Sequence, residues 1–108
     1  MRIVAILTSH NRREKTLACL LSYLDQALRS SANLDAVLVD DGSSDGTAEA
    51  VRNLRSSVTV IRGAGDLYWA GGMALAEKDA LRRAPDYLLW LNDDVILDRD
   101  AVERLLDV

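Results

Sequence analysis

Four short runs of β-branched and aliphatic residues, at positions 3–7, 36–39, 58–61 and 87–91, constrain this chain more than any other feature. They are nearly continuous rather than alternating. A strand with one wet face alternates polar and apolar residues, whereas a strand covered on both faces reads as an almost unbroken apolar run. The four are therefore expected to lie in a parallel sheet with helices on its faces.

The segments between them carry helical spacing. Leu17, Leu20, Leu21, Leu24 and Leu28 form one apolar stripe, and Asn11 with Glu14 three residues later resembles a capping box that starts this helix just after the first strand. A second helix is expected to start around residues 44–47 and to carry Ala50, Val51 and Leu54. A third begins near Gly71 and Gly72, runs through residues 74–84 and stops before Pro85. A fourth follows Leu97, with Asp98 as cap and Ala101, Val102, Leu105 and Leu106 as its apolar positions. The resulting β-α-β-α-β-α-β-α order predicts an α/β fold: a Rossmann-like parallel sheet with flanking helices and right-handed crossovers. A chain of 108 residues forms one domain or part of one, and buries roughly two-thirds of its unfolded surface. It stops inside or just after a helix without a cap or polar tail, so it is expected to be cut from a longer protein.

Thirteen basic residues against seventeen acidic ones leave a net charge of −4, which argues against a nucleic-acid binder or a polybasic membrane surface. One cysteine, Cys19, and one histidine, His10, exclude a disulfide framework, a cysteine-only metal cluster and a multi-histidine metal site. No apolar run approaches the ~20 residues of a membrane span, and the N-terminus lacks a signal-peptide layout. A cytoplasmic location is the expectation.

Ligands of open α/β sheets collect beyond the carboxyl ends of the strands. Those ends lead here into Thr8-Ser9-His10-Asn11-Arg12, Asp40-Asp41-Gly42-Ser43-Ser44-Asp45-Gly46-Thr47, Arg62-Gly63-Ala64-Gly65-Asp66 and Asn92-Asp93-Asp94. Acidic groups gathered at one edge repel unless a cation or ligand donors answer them. Asp93-Asp94 is the better candidate for a hard divalent cation, because carboxylates suit magnesium or manganese and a ligand phosphate can complete the shell. Structural readings compete with this one. The Asp-Asp-Gly-Ser-Ser-Asp-Gly-Thr run is good turn and cap material, and Asp93-Asp94 alone could be a solvated turn. Asp98 and Asp100 read as helix-start residues, Cys19 as core and Trp90 as strand packing. His10 lies near the cleft without an assigned role. Tyr68 and Trp69 are expected in a loop at the ligand edge, where stacking on a base or sugar and plain loop packing are both open. Gly63-Ala64-Gly65 begins like a dinucleotide fingerprint, but Tyr68 stands where the third glycine belongs. A phosphate-loop sequence and a Gly-x-Ser-x-Gly elbow are both lacking.

Four segments, in this order, resemble the nucleotide-sugar half of a family 2 glycosyltransferase with the GT-A fold. They are Val-Ala-Ile-Leu-Thr-Ser-His-Asn-Arg at 4–12, Val-Leu-Val-Asp-Asp-Gly-Ser-Ser-Asp-Gly-Thr at 37–47, Leu-Tyr-Trp-Ala-Gly-Gly-Met at 67–73 and Tyr-Leu-Leu-Trp-Leu-Asn-Asp-Asp-Val at 87–95. The third looks like the bacterial rhamnosyltransferase-like branch. The resemblance implies that Thr8 and the chain after it line the nucleotide pocket. It implies that Asp41 or its neighbour Asp40 accepts a hydrogen bond from the base, that Asp93 holds the ribose, and that Asp94 ligates a Mg2+ or Mn2+ ion bridging the diphosphate. Asn92 stands where the family's Asp-x-Asp triplet has its first aspartate, leaving the metal fewer carboxylates. The resemblance further implies inverting transfer from a nucleotide-diphosphate sugar to a saccharide or lipid-linked acceptor, peripheral to the inner membrane in the parent protein. The catalytic base falls past Val108, in an acceptor-binding half, and the flank that half would cover leaves room for self-association. Two other readings stay open: a response-regulator-like receiver, with its acidic pair and further aspartate, and a non-catalytic nucleotide-binding fragment.

Overall fold

The computed structural model describes residues 1–107. Eight elements alternate along the chain: β1 (Arg2–Ser9), α1 (Arg13–Leu24), β2 (Asn33–Asp41), α2 (Thr47–Arg52), β3 (Val58–Gly63), α3 (Tyr68–Leu81), β4 (Tyr87–Trp90) and α4 (Ala101–Leu106). The strands form one parallel sheet in the order β3-β2-β1-β4. The unbroken apolar runs of β1 and β2 are explained by their central place. Side chains of alternate residues go to opposite faces, and both faces are covered. Ile3, Ala5 and Leu7 pack with Cys19, Leu20 and Tyr23 of α1, with Val51 of α2 and with Val102 of α4. Val4 and Ile6 pack with Met73, Ala76 and Ala80 of α3 on the other side.

The strand order decides between two of the readings above. Receivers use the doubly wound order 2-1-3-4-5, in which the first strand separates the second from the third. Here β2 lies between β1 and β3, so the receiver reading is excluded by topology. The chain runs β1 to β2 to β3 in one direction and then returns past β1 to place β4 on its other side. The connections reverse direction between β1 and β4, the place where open α/β sheets open a crevice.

Several local expectations shift. Asn11 does not cap α1; it has a positive φ of 52°, and α1 starts at Arg13. The cap comes from a distant loop instead, because the Asp45 carboxylate accepts the Arg13 backbone N–H at 3.0 Å. The buried face of α1 is Thr16, Cys19, Leu20, Tyr23 and Leu24, while Leu21 is exposed and Leu28 lies beyond the helix end. Tyr23 displaces leucine from the expected stripe because its hydroxyl reaches the Ile3 and Asp35 carbonyls, at 3.0 and 2.7 Å, and so satisfies its polar end inside the core. The fourth helix starts at Ala101 rather than at a side-chain cap on Asp98, and Leu105 is exposed. Helix α3 starts a turn earlier than expected, so Tyr68 and Trp69 form its first turn rather than a loop. Trp90 is not core either. Among the described residues β4 is an edge strand, and Trp90 is 55% exposed, edge-on to Trp69 with ring centroids 6.1 Å apart.

Candidate functional site

The crevice at the point of reversal has a simple origin. Strand β4 pairs with β1 only as far as Ile6 and Trp90, with Leu91 N–H still donating to the Ile6 carbonyl at 3.0 Å. β1 continues to Ser9 beside β2. The chain after β4 therefore peels away from Thr8 and Ser9, and a cavity of about 410 Å3 opens between them. Thr8, Ser9, His10 and Arg12 form one wall, Asn92, Asp93 and Asp94 the opposite wall, and Asp41, Gly65, Tyr68 and Trp69 one end.

Close backbone approach shapes that end. The α3 helix crosses β1 so tightly that a Cβ on Gly72 would lie 2.3 Å from the Thr8 Oγ1. The Thr8 hydroxyl donates to the Val39 carbonyl at 3.2 Å. Gly42, with φ of 75°, lets the loop after β2 touch the loop after β3; a Cβ there would meet the Gly65 backbone at 2.8 Å.

The Asp40-Asp41 pair is split between the two faces of the sheet. Asp41 lines the cavity, and its carboxylate accepts the backbone N–H groups of Gly65 at 2.9 Å, Leu67 at 3.1 Å and Tyr68 at 2.9 Å. It thus ties the β3–α3 loop and the first turn of α3 to the end of β2. Burial pushes its pKa up, but the three N–H bonds more than offset this and hold it below the usual carboxylate range. Asp41 is therefore no exposed loop-end group: it is 4% exposed and part of the scaffold. Its stabilising effect is present at neutral pH and is lost as the pH falls through the ordinary carboxylate range, roughly pH 4, and below. Asp40 is fully buried, away from the cavity lining. One oxygen accepts the Ser43 N–H at 3.1 Å, and the other, without a hydrogen bond, faces the Arg62 guanidinium at 3.7 Å.

The loops are clamped together around this end. Asn11 N–H donates to the Ser43 hydroxyl at 2.9 Å, and the Asn11 side-chain oxygen accepts the Ser44 N–H at 2.8 Å. His10 lies 2.7 Å from the Asp41 carbonyl through Nδ1 and 3.3 Å from the Asn11 side-chain nitrogen through Nε2. Nδ1 can donate to the carbonyl while Nε2 meets the amide, so both ring nitrogens have a partner.

On the opposite wall Asp93 is largely covered and Asp94 half exposed. Burial raises the Asp93 pKa, the Ser9 hydroxyl and Arg12 lower it, and Asp94 raises it again; the net direction is upward. Arg12, a residue to which sequence reasoning gave no role, is the cation that answers this pair. Its Nη1 lies 3.8 Å from Asp93 Oδ1 and 3.6 Å from Asp94 Oδ2. Beneath the loop, the Cys19 thiol donates to the Asn92 carbonyl at 3.3 Å, and burial pushes its pKa up to about 11. Cys19 is core, as expected, and unreactive at neutral pH.

The raised Asp93 pKa carries a stability consequence. The native state holds this proton more tightly than the unfolded chain, so stability falls as the pH rises from the ordinary carboxylate value through the raised one. Asp93→Asn is expected to raise the melting temperature at pH 7, with the gain vanishing below about pH 4, where the carboxyl is protonated in both states. Thermal denaturation of the two proteins at pH 3.5 and 7 checks this. Equal melting temperatures at pH 7 would contradict it.

An acid-lined crevice thus opens at the strand-order reversal of a parallel sheet, where ligands of open α/β sheets collect, with one carboxylate facing solvent and an arginine facing both. A family model described as glycosyl transferase family 2 matches residues 4–108, and the chain belongs to that family. No curated protein sequence matches it at a significant level. Among solved structures, the mannosyltransferase PcManGT from Pyrobaculum calidifontis, in complex with GDP-Man and Mn2+, is similar with a TM-score of 0.74 and 23% identity over 96% of this chain. TarS 1-349 from S. aureus in complex with UDP is similar with a TM-score of 0.79 and 19% identity over 99% of this chain. At such identities the likeness shows the fold, which is that of the GT-A glycosyltransferases. The chain spans 31% of the length of each of these structures.

Proposed function

We propose that this chain is the donor-binding part of a glycosyltransferase that uses a nucleotide-diphosphate sugar. One observation carries the reading: the crevice between β1 and β4 brings Thr8, Asp41, Asp93 and Asp94 to one cavity, with room for a nucleotide. In this assignment the base lies at the end formed by Asp41 and Gly65, beside Thr8 of the wall. Asp41 fixes the backbone there and keeps one lone pair of Oδ1 for the base. Asp40 takes a scaffold part through Arg62 and Ser43. Asp93, raised in pKa and partly buried, accepts hydrogen bonds from the ribose hydroxyls.

The donor set suits a divalent cation of the Mg2+ or Mn2+ kind. Asp94 is a half-exposed carboxylate at the cavity wall, and among the described residues no group of three or more His, Cys, Asp or Glu side chains forms a closed metal cage. Such ions are held by one or two carboxylates with substrate phosphates completing the shell. Bound there, the ion would supply charge neutralisation to the departing diphosphate. Asp94 would hold it, and Arg12 adds fixed positive charge beside the same phosphates. The acceptor, of saccharide or lipid-linked class, and the carboxylate that deprotonates its hydroxyl belong to a part of the parent protein outside the segment matched here. Transfer is inverting, with in-line attack on the anomeric carbon. Among the described residues no helix is long and apolar enough to cross a membrane, and the reading places the domain in the cytoplasm.

Calorimetry with UDP, dTDP and GDP, with and without Mn2+, tests the reading. Binding of at least one nucleotide that strengthens with Mn2+ is expected. Absence of measurable binding at millimolar ligand with Mn2+ present would contradict it. Sugar transfer by the 108-residue chain itself is expected to be negligible beside that of its parent, because general-base help alone is worth roughly a hundred- to ten-thousand-fold. Comparable turnover would place the base within this chain.

A further inference from the structure

We propose that Arg12 makes cation binding at Asp94 conditional on the diphosphate, by holding both carboxylates itself until metal and nucleotide arrive together. The proposal rests on the donor-site reading above. Its starting point is the geometry of one guanidinium across two carboxylates, at 3.8 Å from Asp93 and 3.6 Å from Asp94. Among the described residues this guanidinium reaches no other carboxylate. Its charge is permanent, so it cannot leave by losing a proton.

Backbone and side chain of Arg12 differ in freedom. The backbone is fixed at the head of α1: the Arg12 carbonyl accepts the Thr16 N–H at 2.8 Å, and the next N–H is held by Asp45. The side chain is half exposed, and its ion pairs are longer than a hydrogen bond. Pairs of that kind are held weakly and exchange readily. A divalent ion approaching Asp94 meets a cation already seated against the same oxygens and must displace it or share them, at the cost of like-charge repulsion. Among the described residues too few ligands gather at Asp94 to make up that cost. A diphosphate changes both sides of the balance. Its oxygens complete the shell of the ion and offer the displaced guanidinium a planar, doubly hydrogen-bonding partner. Metal and nucleotide then raise each other's affinity by the same factor, as linkage demands, and Arg12 sets part of that factor.

The test is titration of Mn2+ alone, followed by electron paramagnetic resonance, against the wild-type chain, Arg12→Gln, Arg12→Met and Arg12→Lys. Removing the cation is expected to tighten Mn2+ binding by roughly thirtyfold at low salt, the effect of one unit charge on a divalent ion about 4 Å away in water, and by less at physiological salt, with the lysine variant near wild type. The gain is expected to disappear when Asp94→Asn is added. The enhancement of Mn2+ affinity by saturating UDP or GDP is expected to shrink in the glutamine and methionine variants. Mn2+ affinity unchanged or weakened in whichever of these two variants folds would overturn the proposal, as would a gain that survives Asp94→Asn. Failure of the donor-site reading looks different: neither nucleotide binds the wild-type chain with Mn2+ present, whatever Mn2+ alone does.

Discussion

Gly72→Ala is expected to lower the melting temperature by roughly 5–15 °C, whereas Gly71→Ala beside it is expected to raise it slightly. Both changes put a good helix former into α3, worth up to about 1 kcal/mol each. They differ in what the new methyl meets. At Gly71 it meets only Leu67 side-chain atoms, at 3.4 and 3.7 Å, which is ordinary contact or nearly so. At Gly72 it meets Thr8 Oγ1 at 2.3 Å and Thr8 Cβ at 2.8 Å. The hydroxyl can turn aside, but the Cβ is fixed to β1, in the middle of the sheet. Helix α3 must therefore lift from the strand, loosening its contact with Val4, Ile6, Val37 and Val39. Overpacking of this kind costs about 1–3 kcal/mol, a large share of the stability of a small domain. Thr8 also lines the cavity, so nucleotide affinity should fall in the same variant. Thermal denaturation of the two variants decides the matter, and equal shifts would show that α3 does not press on Thr8.

Asp94→Asn is expected to weaken nucleoside diphosphate binding by tenfold or more when Mn2+ is present and to leave metal-free binding nearly unchanged. A carboxylate that bridges to the ligand only through an ion contributes only when the ion is there, and tenfold corresponds to about 1.4 kcal/mol. The fold should not notice, because Asp94 is half exposed and among the described residues its only ion-pair partner is Arg12. Asp41→Asn is the contrasting case. It is expected to weaken binding with or without metal and, unlike Asp94→Asn, to lower the melting temperature by several degrees. An amide cannot accept all three N–H groups that the carboxylate now holds, and its own N–H2 faces other donors. Calorimetry with and without Mn2+, paired with denaturation of each variant, separates the two roles. The same metal dependence in both would contradict the assignment.

The sheet was legible in this sequence because burial on both faces writes itself into composition, and β1 and β2 are buried on both faces. What depended on strand order was not. Trp90 sits in an apolar run like the others, but among the described residues β4 is the outer strand, and edge placement is a property of the assembled topology. Arg12 was visible as a residue and invisible as a partner, because Asp93 and Asp94 become its neighbours only when β4 returns beside β1. The division of labour between Asp40 and Asp41 could have been read earlier. If β2 runs on through both, adjacent side chains must leave by opposite faces, and only one can enter a given cavity. The capping box at Asn11 and Glu14 misled for a local reason: a φ of 52° turns Asn11 toward Ser43 and Ser44, leaving Asp45 to satisfy the start of α1.

The central claim is that the crevice between β1 and β4 holds a nucleoside diphosphate. Amide chemical shifts of the 15N-labelled chain, followed while UDP, dTDP or GDP is added with Mg2+, test it most directly. With at least one of the nucleotides, saturable shifts are predicted at Thr8 to Arg12, Gly65 to Trp69 and Asn92 to Asp94, with little change near Asp25 and Arg55 at the far end of the sheet. Shifts confined to other surfaces, or none at millimolar nucleotide, would contradict the account.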